Sequence, residues 1–184
     1  MCIEDNVQGV TQLHNVVYVV CSGSSVINTF NADTLSPLGE HIRVAGMTCP
    51  TDMVACRDDR QLYVADYNYC IWRVSADHHS YVKWLPTKST TGKFHVNRLS
   101  VTSRRLLVTS HPPTIRQYST TDRQLLRVIT MPGYVKELFH GVETTRRTFV
   151  VGHKGTPLKK ELSAVSKIFR FFLRVLATSI DSNL

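Results

Sequence analysis

The sequence predicts an all-β chain, an incomplete β-propeller of four-stranded antiparallel blades followed by a C-terminal basic amphipathic helix, and three observations predict it. Short apolar strands recur at a fixed spacing: Tyr18 to Tyr63 spans 45 residues and Tyr63 to Leu107 spans 44. Each period holds several such strands, with polar turns between them. A period near 40 to 45 residues with several short strands per unit marks a propeller blade.

The central unit shows the plan most plainly. After Pro50, Asp52-Met53-Val54-Ala55-Cys56 reads as a first strand and Arg57-Asp58-Asp59-Arg60 as a turn. Leu62 to Ala65 is a second strand, Tyr67-Asn68-Tyr69 a turn, and Ile71-Trp72-Arg73-Val74 a third strand. The polar run Ala76-Asp77-His78-His79-Ser80 then leads into Tyr81-Val82-Lys83-Trp84-Leu85, stopped by Pro86. Four strands joined by tight turns make an antiparallel meander.

The same plan precedes and follows it. The first unit runs from Val7-Gln8-Gly9-Val10 through Val16 to Val20 and Val26 to Phe30, turns at Asn31 to Thr34, and ends in His41 to Val44. The third begins at Val96 to Val101, turns at Thr102-Ser103-Arg104-Arg105, passes strands around Val108 and Ile115, and finishes with Leu125 to Ile129. A fourth opens at Val135 to Val142, turns at Thr144 to Arg147 and gives one clear strand, Thr148 to Val151. The expected blades are 7–46, 51–86, 96–131 and an incomplete 135–158, so that 1–158 forms the propeller part and 159–184 a helix and tail.

Within that tail, Leu162, Val165, Phe169, Phe172, Leu173 and Leu176 share one helical face, with Lys160, Lys167, Arg170 and Arg174 mostly opposite, which favours a helix over 160–178. The alternative is that Ala164 to Ile168 forms a third strand of the last blade. A helix there would cover the open edge of that blade. Propellers close with four to eight blades. A chain with about three and a half is expected to be an open arc, part of a larger product, or a unit completed by self-association.

Composition bounds the function classes. The 184 residues are 42% hydrophobic and 20% charged, as in an ordinary globular domain. No apolar run follows the acidic start Met1 to Asp5, and none approaches the length of a membrane span, so the expected compartment is the cytoplasm and a membrane partner is not expected. The five cysteines, Cys2, Cys21, Cys49, Cys56 and Cys70, include no Cys-x-x-Cys pair. They are expected to be free, and Cys21, Cys56 and Cys70 to be buried. The net charge is +8, yet residues 1–58 set Arg43 and Arg57 against six carboxylates, a balance of −4, leaving +12 for the remainder. That asymmetry admits an acidic partner, RNA included.

The order Pro50, a hydrophobic strand, a polar turn, Leu62-Tyr63-Val64-Ala65-Asp66 and a short loop to Ile71-x-x-Val74 resembles the NHL repeat, the propeller repeat at the C-terminus of tripartite-motif ubiquitin ligases. Cys21 and Ser110 stand where the first and third units would carry the motif's Asp. The resemblance implies a six-bladed ring that recognises protein or RNA without chemistry of its own. Ligase activity is not implied, because the sequence holds no cysteine–histidine cluster and no heptad run.

No cofactor and no metal are expected. Gly23 lies in Cys21-Ser22-Gly23-Ser24-Ser25, without the Gly-Lys-Ser/Thr of a phosphate-binding loop or the Gly-x-Ser-x-Gly of a nucleophile elbow. His78-His79 beside Asp77 diverge on a hairpin tip, whereas a catalytic zinc needs three convergent ligands. A propeller hydrolase or lyase would require such a constellation in its channel. What remains is recognition through loops, and blade geometry sorts those loops onto two faces. First-to-second and third-to-fourth turns share one face, where Arg57, Arg60, Arg104, Arg105, Arg123, Arg146 and Arg147 would form a basic stripe able to follow a phosphate backbone or an acidic partner. The opposite face collects Tyr67, Asn68, Tyr69, His95, His111 and Tyr134, with Lys88, Lys93 and Lys154 nearby. Exposed tyrosines among cations suit a protein partner and can also stack on single-stranded bases.

Overall fold

The computed structural model describes residues 6–67, 70–77, 80–86, 88–89, 92–93, 95–144 and 149–155. Three four-stranded antiparallel meanders follow one another: β1 (Val7–Leu13), β2 (Val16–Cys21), β3 (Val26–Asn31) and β4 (Pro37–Arg43); β5 (Pro50–Cys56), β6 (Gln61–Asp66), β7 (Cys70–Ser75) and β8 (Tyr81–Pro86); then, after a two-residue hairpin of β9 (Lys88–Ser89) and β10 (Gly92–Lys93), β11 (His95–Thr102), β12 (Arg105–His111), β13 (Thr114–Ser119) and β14 (Leu125–Thr130). Among the described residues a two-stranded sheet of β15 (Val135–Glu143) and β16 (Phe149–Gly155) comes last. Each four-stranded sheet keeps chain order across its strands, as a propeller blade does.

The first strands of successive sheets, β1, β5, β11 and β15, pack against one another, and the fourth strands β4 and β14 are mostly exposed. Their register is repeated closely. In all four first strands one extra residue bulges at the same place, after Val7, Pro50, Val96 and Val135. A bulge adds local twist, which lets each blade turn away from the axis while its inner strand stays in line with its neighbours.

The core is divided into layers between blades. Leu13, Tyr18, Val20, Ile27 and Ile42 of the first blade meet Met53, Leu62, Val64, Trp72 and Val74 of the second. Tyr63, Ala65, Ile71 and Trp84 meet Leu99, Leu106, Val108 and Tyr118 of the third, and Leu107 and Ile115 meet Leu138, Phe149 and Val151 of the last sheet. Trp72 and Trp84 therefore pack between neighbouring blades, as their alternation with Arg73 and Lys83 suggests. At the first boundary the backbones approach so closely that a Cβ on Gly9 would lie 2.6 Å from Met53 N.

Two features depart from the sequence expectation. The first blade's outer strand begins at Pro37, because a bulge between Asn28 and Phe30 lets Pro37 pair with Phe30 before His41 and Ile42. The link from the second to the third blade contains β9 and β10, a hairpin too short to leave an alternation pattern. Asn68, Tyr69, His78, His79, Arg146, Arg147 and the helix expected at 160–178 lie outside the described residues.

Candidate functional site: the two loop faces

The aromatic face is organised from Asp66, the last residue of β6. Its carboxylate is 1% exposed. It accepts Thr48 N–H at 3.1 Å, Cys49 N–H at 3.3 Å and the Trp72 indole Nε1–H at 3.1 Å. One side chain thereby ties the link between the first two blades to the end of β6 and to β7. The next residue completes the tie, as Tyr67 N–H donates to Cys49 C=O at 2.9 Å.

With its backbone fixed in this way, the Tyr67 side chain projects outward, 55% exposed. Its ring lies over His95 of the next blade, centroids 5.4 Å apart and planes at 34°. His95 and His111 are direct cross-strand partners at the start of β11 and end of β12, and His111 is exposed. Tyr67, His95 and His111 thus gather at the boundary of the second and third blades. Tyr134 belongs to the following boundary, half-buried, with its ring 6.4 Å from His153. His153 has no counterpart in the sequence reading, since nothing marks which β16 residues turn toward that face. Lys154 is exposed. In the third blade Ser110 replaces the Asp, and its hydroxyl meets Thr114 Oγ1 at 2.7 Å and accepts Arg116 Nη1–H at 2.8 Å.

On the opposite face, three of the stripe arginines are engaged with carboxylates. Arg60 lies 3.2 Å from Asp77, Arg104 3.5 Å from Asp59, and Arg105 3.3 Å from the buried Glu143, which also accepts Gln117 Nε2–H at 2.7 Å. Arg57 and Arg123 are exposed. Asp59 additionally accepts the Thr120 hydroxyl at 2.5 Å and the Cys56 thiol at 3.5 Å, so these turns are stitched together across the second and third blades. Asp59, Gln61, Tyr63, Arg73, Arg104, Thr120 and Thr121 line an open depression of ≈330 Å³. Burial, and then the Asp59 carboxylate, pushes the Tyr63 hydroxyl well above the usual phenol range, so it stays protonated. This depression was not foreseen, because Asp59 and Thr120 lie 61 residues apart and meet only through the blade register.

Among the described residues no group of three or more His, Cys, Asp or Glu is placed to share a metal ion, and no helix is long and apolar enough to cross a membrane. The described cysteines, Cys21, Cys49, Cys56 and Cys70, are all free thiols. Burial raises the Cys56 thiol and pushes Cys70 up to about 11.

Neither a protein-family model nor a curated protein matches this chain. Solved structures do. The computationally designed Ika4 protein superposes with a TM-score of 0.62 at 14% identity, over 83% of this chain and 89% of that one. The β-propeller domain of Myceliophteria thermophila Cps50 (Swd1) superposes with a TM-score of 0.64 at 10% identity, over 86% of this chain and 55% of that one. This chain therefore spans about half the length of the Cps50 chain. At such identities the likeness speaks for the fold alone: the chain folds as blades of a β-propeller.

Proposed function

We propose that this chain is a non-enzymatic recognition module of NHL-like blades that binds a protein partner through its aromatic loop face. The observation that carries the reading is Tyr67. It is a large aromatic side chain, mostly exposed, on a backbone whose amide donates to Cys49 C=O while Cys49 N–H is held by the Asp66 carboxylate. An aromatic anchor already immobilised loses little further entropy on binding, which is the property that makes tyrosine a hot-spot residue. Its neighbours His95 and His111 and the turn at Pro112-Pro113 supply a mixed polar and apolar rim. RNA is the rival ligand, through this face or the arginine stripe. Protein is favoured because Arg60, Arg104 and Arg105 already face carboxylates of the same chain, leaving less free charge to neutralise phosphates.

The test is selection of peptides from a displayed library on the immobilised chain, followed by affinity measurements on variants of both faces. Tyr67→Ala is expected to weaken the selected peptide by about 30-fold, the ~2 kcal/mol of a hot spot. Arg57→Ala and Arg123→Ala should leave it within about threefold. Equal losses from both faces, or none from Tyr67→Ala, would refute the assignment. A random single-stranded RNA titrated in parallel decides the rival. RNA recognition by about six to ten phosphate contacts weakens ~10³- to 10⁵-fold between 50 and 200 mM salt, whereas the peptide affinity should stay nearly flat.

A further inference from the structure

The depression on the turn face, between the second and third blades, has a counterpart one blade further on. Cross-strand pairing sets Gln61 opposite Ser75 and Tyr63 opposite Arg73, as it sets Arg105 opposite Ser119 and Leu107 opposite Gln117. Arg105 and Gln117 are thus the counterparts of Gln61 and Arg73, 44 residues on, with guanidinium and amide exchanged. Alternation along the strands turns each pair toward the following blade, the side on which Tyr63 and Leu107 are packed.

At the third-blade boundary the chain itself supplies what this pair binds. Glu143, the last residue of β15, is buried; one of its oxygens lies 3.3 Å from Arg105 Nη1 and the other accepts Gln117 Nε2–H at 2.7 Å. A guanidinium and a primary amide side by side suit a carboxylate, because both present N–H donors and each carboxylate oxygen can accept one.

At the second-blade boundary the third blade presents Arg104, Thr120 and Thr121 instead. Arg73 and the Gln61 side chain, both half-buried, make no ion pair or side-chain hydrogen bond with a described residue. The Tyr63 hydroxyl is buried near Thr120 but meets no partner in hydrogen-bonding geometry. Asp59, the carboxylate among the described lining residues, comes from the second blade's own turn and is already engaged: Arg104 faces its Oδ1, while the Thr120 hydroxyl and the Cys56 thiol donate to its Oδ2. Acceptors are used up while donors remain, and two arginines against one carboxylate leave the depression with an excess positive charge.

We propose that this depression binds a carboxylate from outside the chain, which takes at Gln61 and Arg73 the place that Glu143 takes at Arg105 and Gln117. Its oxygens accept from the Arg73 guanidinium and the Gln61 amide, and the Tyr63 hydroxyl gains the acceptor it lacks. A volume of ≈330 Å³ is at the lower end of the roughly 300–1,000 Å³ of ligand pockets, which suits a small acid or a single acidic side chain. The site is on the turn face and does not depend on what the aromatic face binds.

The test is an NMR titration of the full chain with glutarate, and with glutaramide as its uncharged analogue. Glutarate is expected to saturate in the millimolar range, with its largest shifts at Gln61, Arg73 and Thr121. Glutaramide should bind about tenfold more weakly, because hydrogen bonds to a charged group are the stronger kind. Arg73→Gln should weaken glutarate by about tenfold and Tyr63→Phe by about fivefold. Arg43→Gln, which removes an exposed arginine of β4, should leave it within about twofold. A capped tripeptide with a central glutamate identifies the source: binding tighter than glutarate assigns the site to an acidic side chain of a protein, and weaker binding to a free acid. Four outcomes would overturn the proposal: an unaltered chain that saturates with neither probe at tens of millimolar, glutaramide binding as well as glutarate, shifts centred away from the depression, or an Arg73→Gln variant that binds like the unaltered chain. Should that variant unfold, the comparison of glutarate with glutaramide on the unaltered chain still decides.

Discussion

Replacing Asp66 tests the fold and the site together. Its carboxylate satisfies three donors with different access to water. Thr48 is exposed and its amide would turn to solvent at little cost. Cys49 is half-buried, and Trp72 is 3% exposed. A buried donor left without an acceptor costs about 1–3 kcal/mol, so Asp66→Ala should lose about 2–4 kcal/mol, most of it through the indole. Measured against the ~5–15 kcal/mol of a typical domain, this is a large fraction. Asp66→Asn keeps the shape but turns an NH₂ toward N–H donors, and should lose about half as much. With a urea dependence of about 2 kcal/mol per molar, the alanine midpoint should fall by about 1–2 M. The titration is read by emission of Trp72 and Trp84, which lie in different interblade layers. Ser110→Ala provides the comparison at the equivalent position, and it should cost less, because Arg116 Nη1 also reaches Thr114 Oγ1 at 2.8 Å. An Asp66→Asn variant as stable as the unaltered chain, or a Ser110→Ala variant less stable than Asp66→Ala, would refute the reasoning.

Two further outcomes are expected. Gly9→Ala would drive a Cβ to 2.6 Å from the Met53 backbone, which cannot yield without opening the β1–β5 contact, whereas the tightest contact of Gly141→Ala is the Thr109 methyl at 3.2 Å. Urea titration should show a loss at or above ~3 kcal/mol for Gly9→Ala and about 1 kcal/mol for Gly141→Ala, and the reverse order would contradict the interblade geometry. For the thiols, iodoacetamide at pH 8 followed by peptide mapping should modify Cys49 before Cys21, Cys56 or Cys70, which are 0%, 2% and 5% exposed. Cys70 moves from an ordinary 9.0 to about 11, so the unfolded chain loses that proton first. Its contribution to stability is full below pH 9 and is lost as pH rises through 11, at up to ~1.4 kcal/mol per pH unit. Stability measured between pH 9 and 11 should fall less steeply in Cys70→Ala.

The fold was legible because its period is carried by side chains that must be buried. Ile27, Ile71 and Ile115 occupy one position of three successive blades at intervals of 44 residues, each at most 1% exposed. The turns between such strands announce themselves by composition; Asn31, for example, accepts the amides of Asp33 and Thr34 through its own Oδ1. The site was legible only in part. Tyr67, His95 and His111 fall on one face by their places in the loops between strands, but that His95 lies under Tyr67 while Tyr134 meets His153 depends on how adjacent blades are rotated, which no local pattern encodes. The same limit applies to the arginines. Their recurrence in turns is visible in the sequence, but their partners Asp59, Asp77 and Glu143 come from other turns and strands.

The segment Leu62 to Asp66 is the most motif-like stretch of the chain, and its chemistry explains why binding would sit beside it. In a repeat array each blade needs the link from its predecessor to be held, and the cheapest holder is a carboxylate at the end of the second strand, reaching two backbone amides at once. Cys21 and Ser110 at the corresponding ends cannot do this, since a thiol is a weak acceptor and a hydroxyl offers a single oxygen. In the second blade the carboxylate therefore adds two side-chain bonds to the backbone tie at this face. A side chain displayed one residue past that tie inherits its rigidity, and Tyr67 is that side chain. The proposed recognition residue is placed next to the structural anchor because an exposed aromatic contributes most to affinity where the backbone beneath it has already been immobilised.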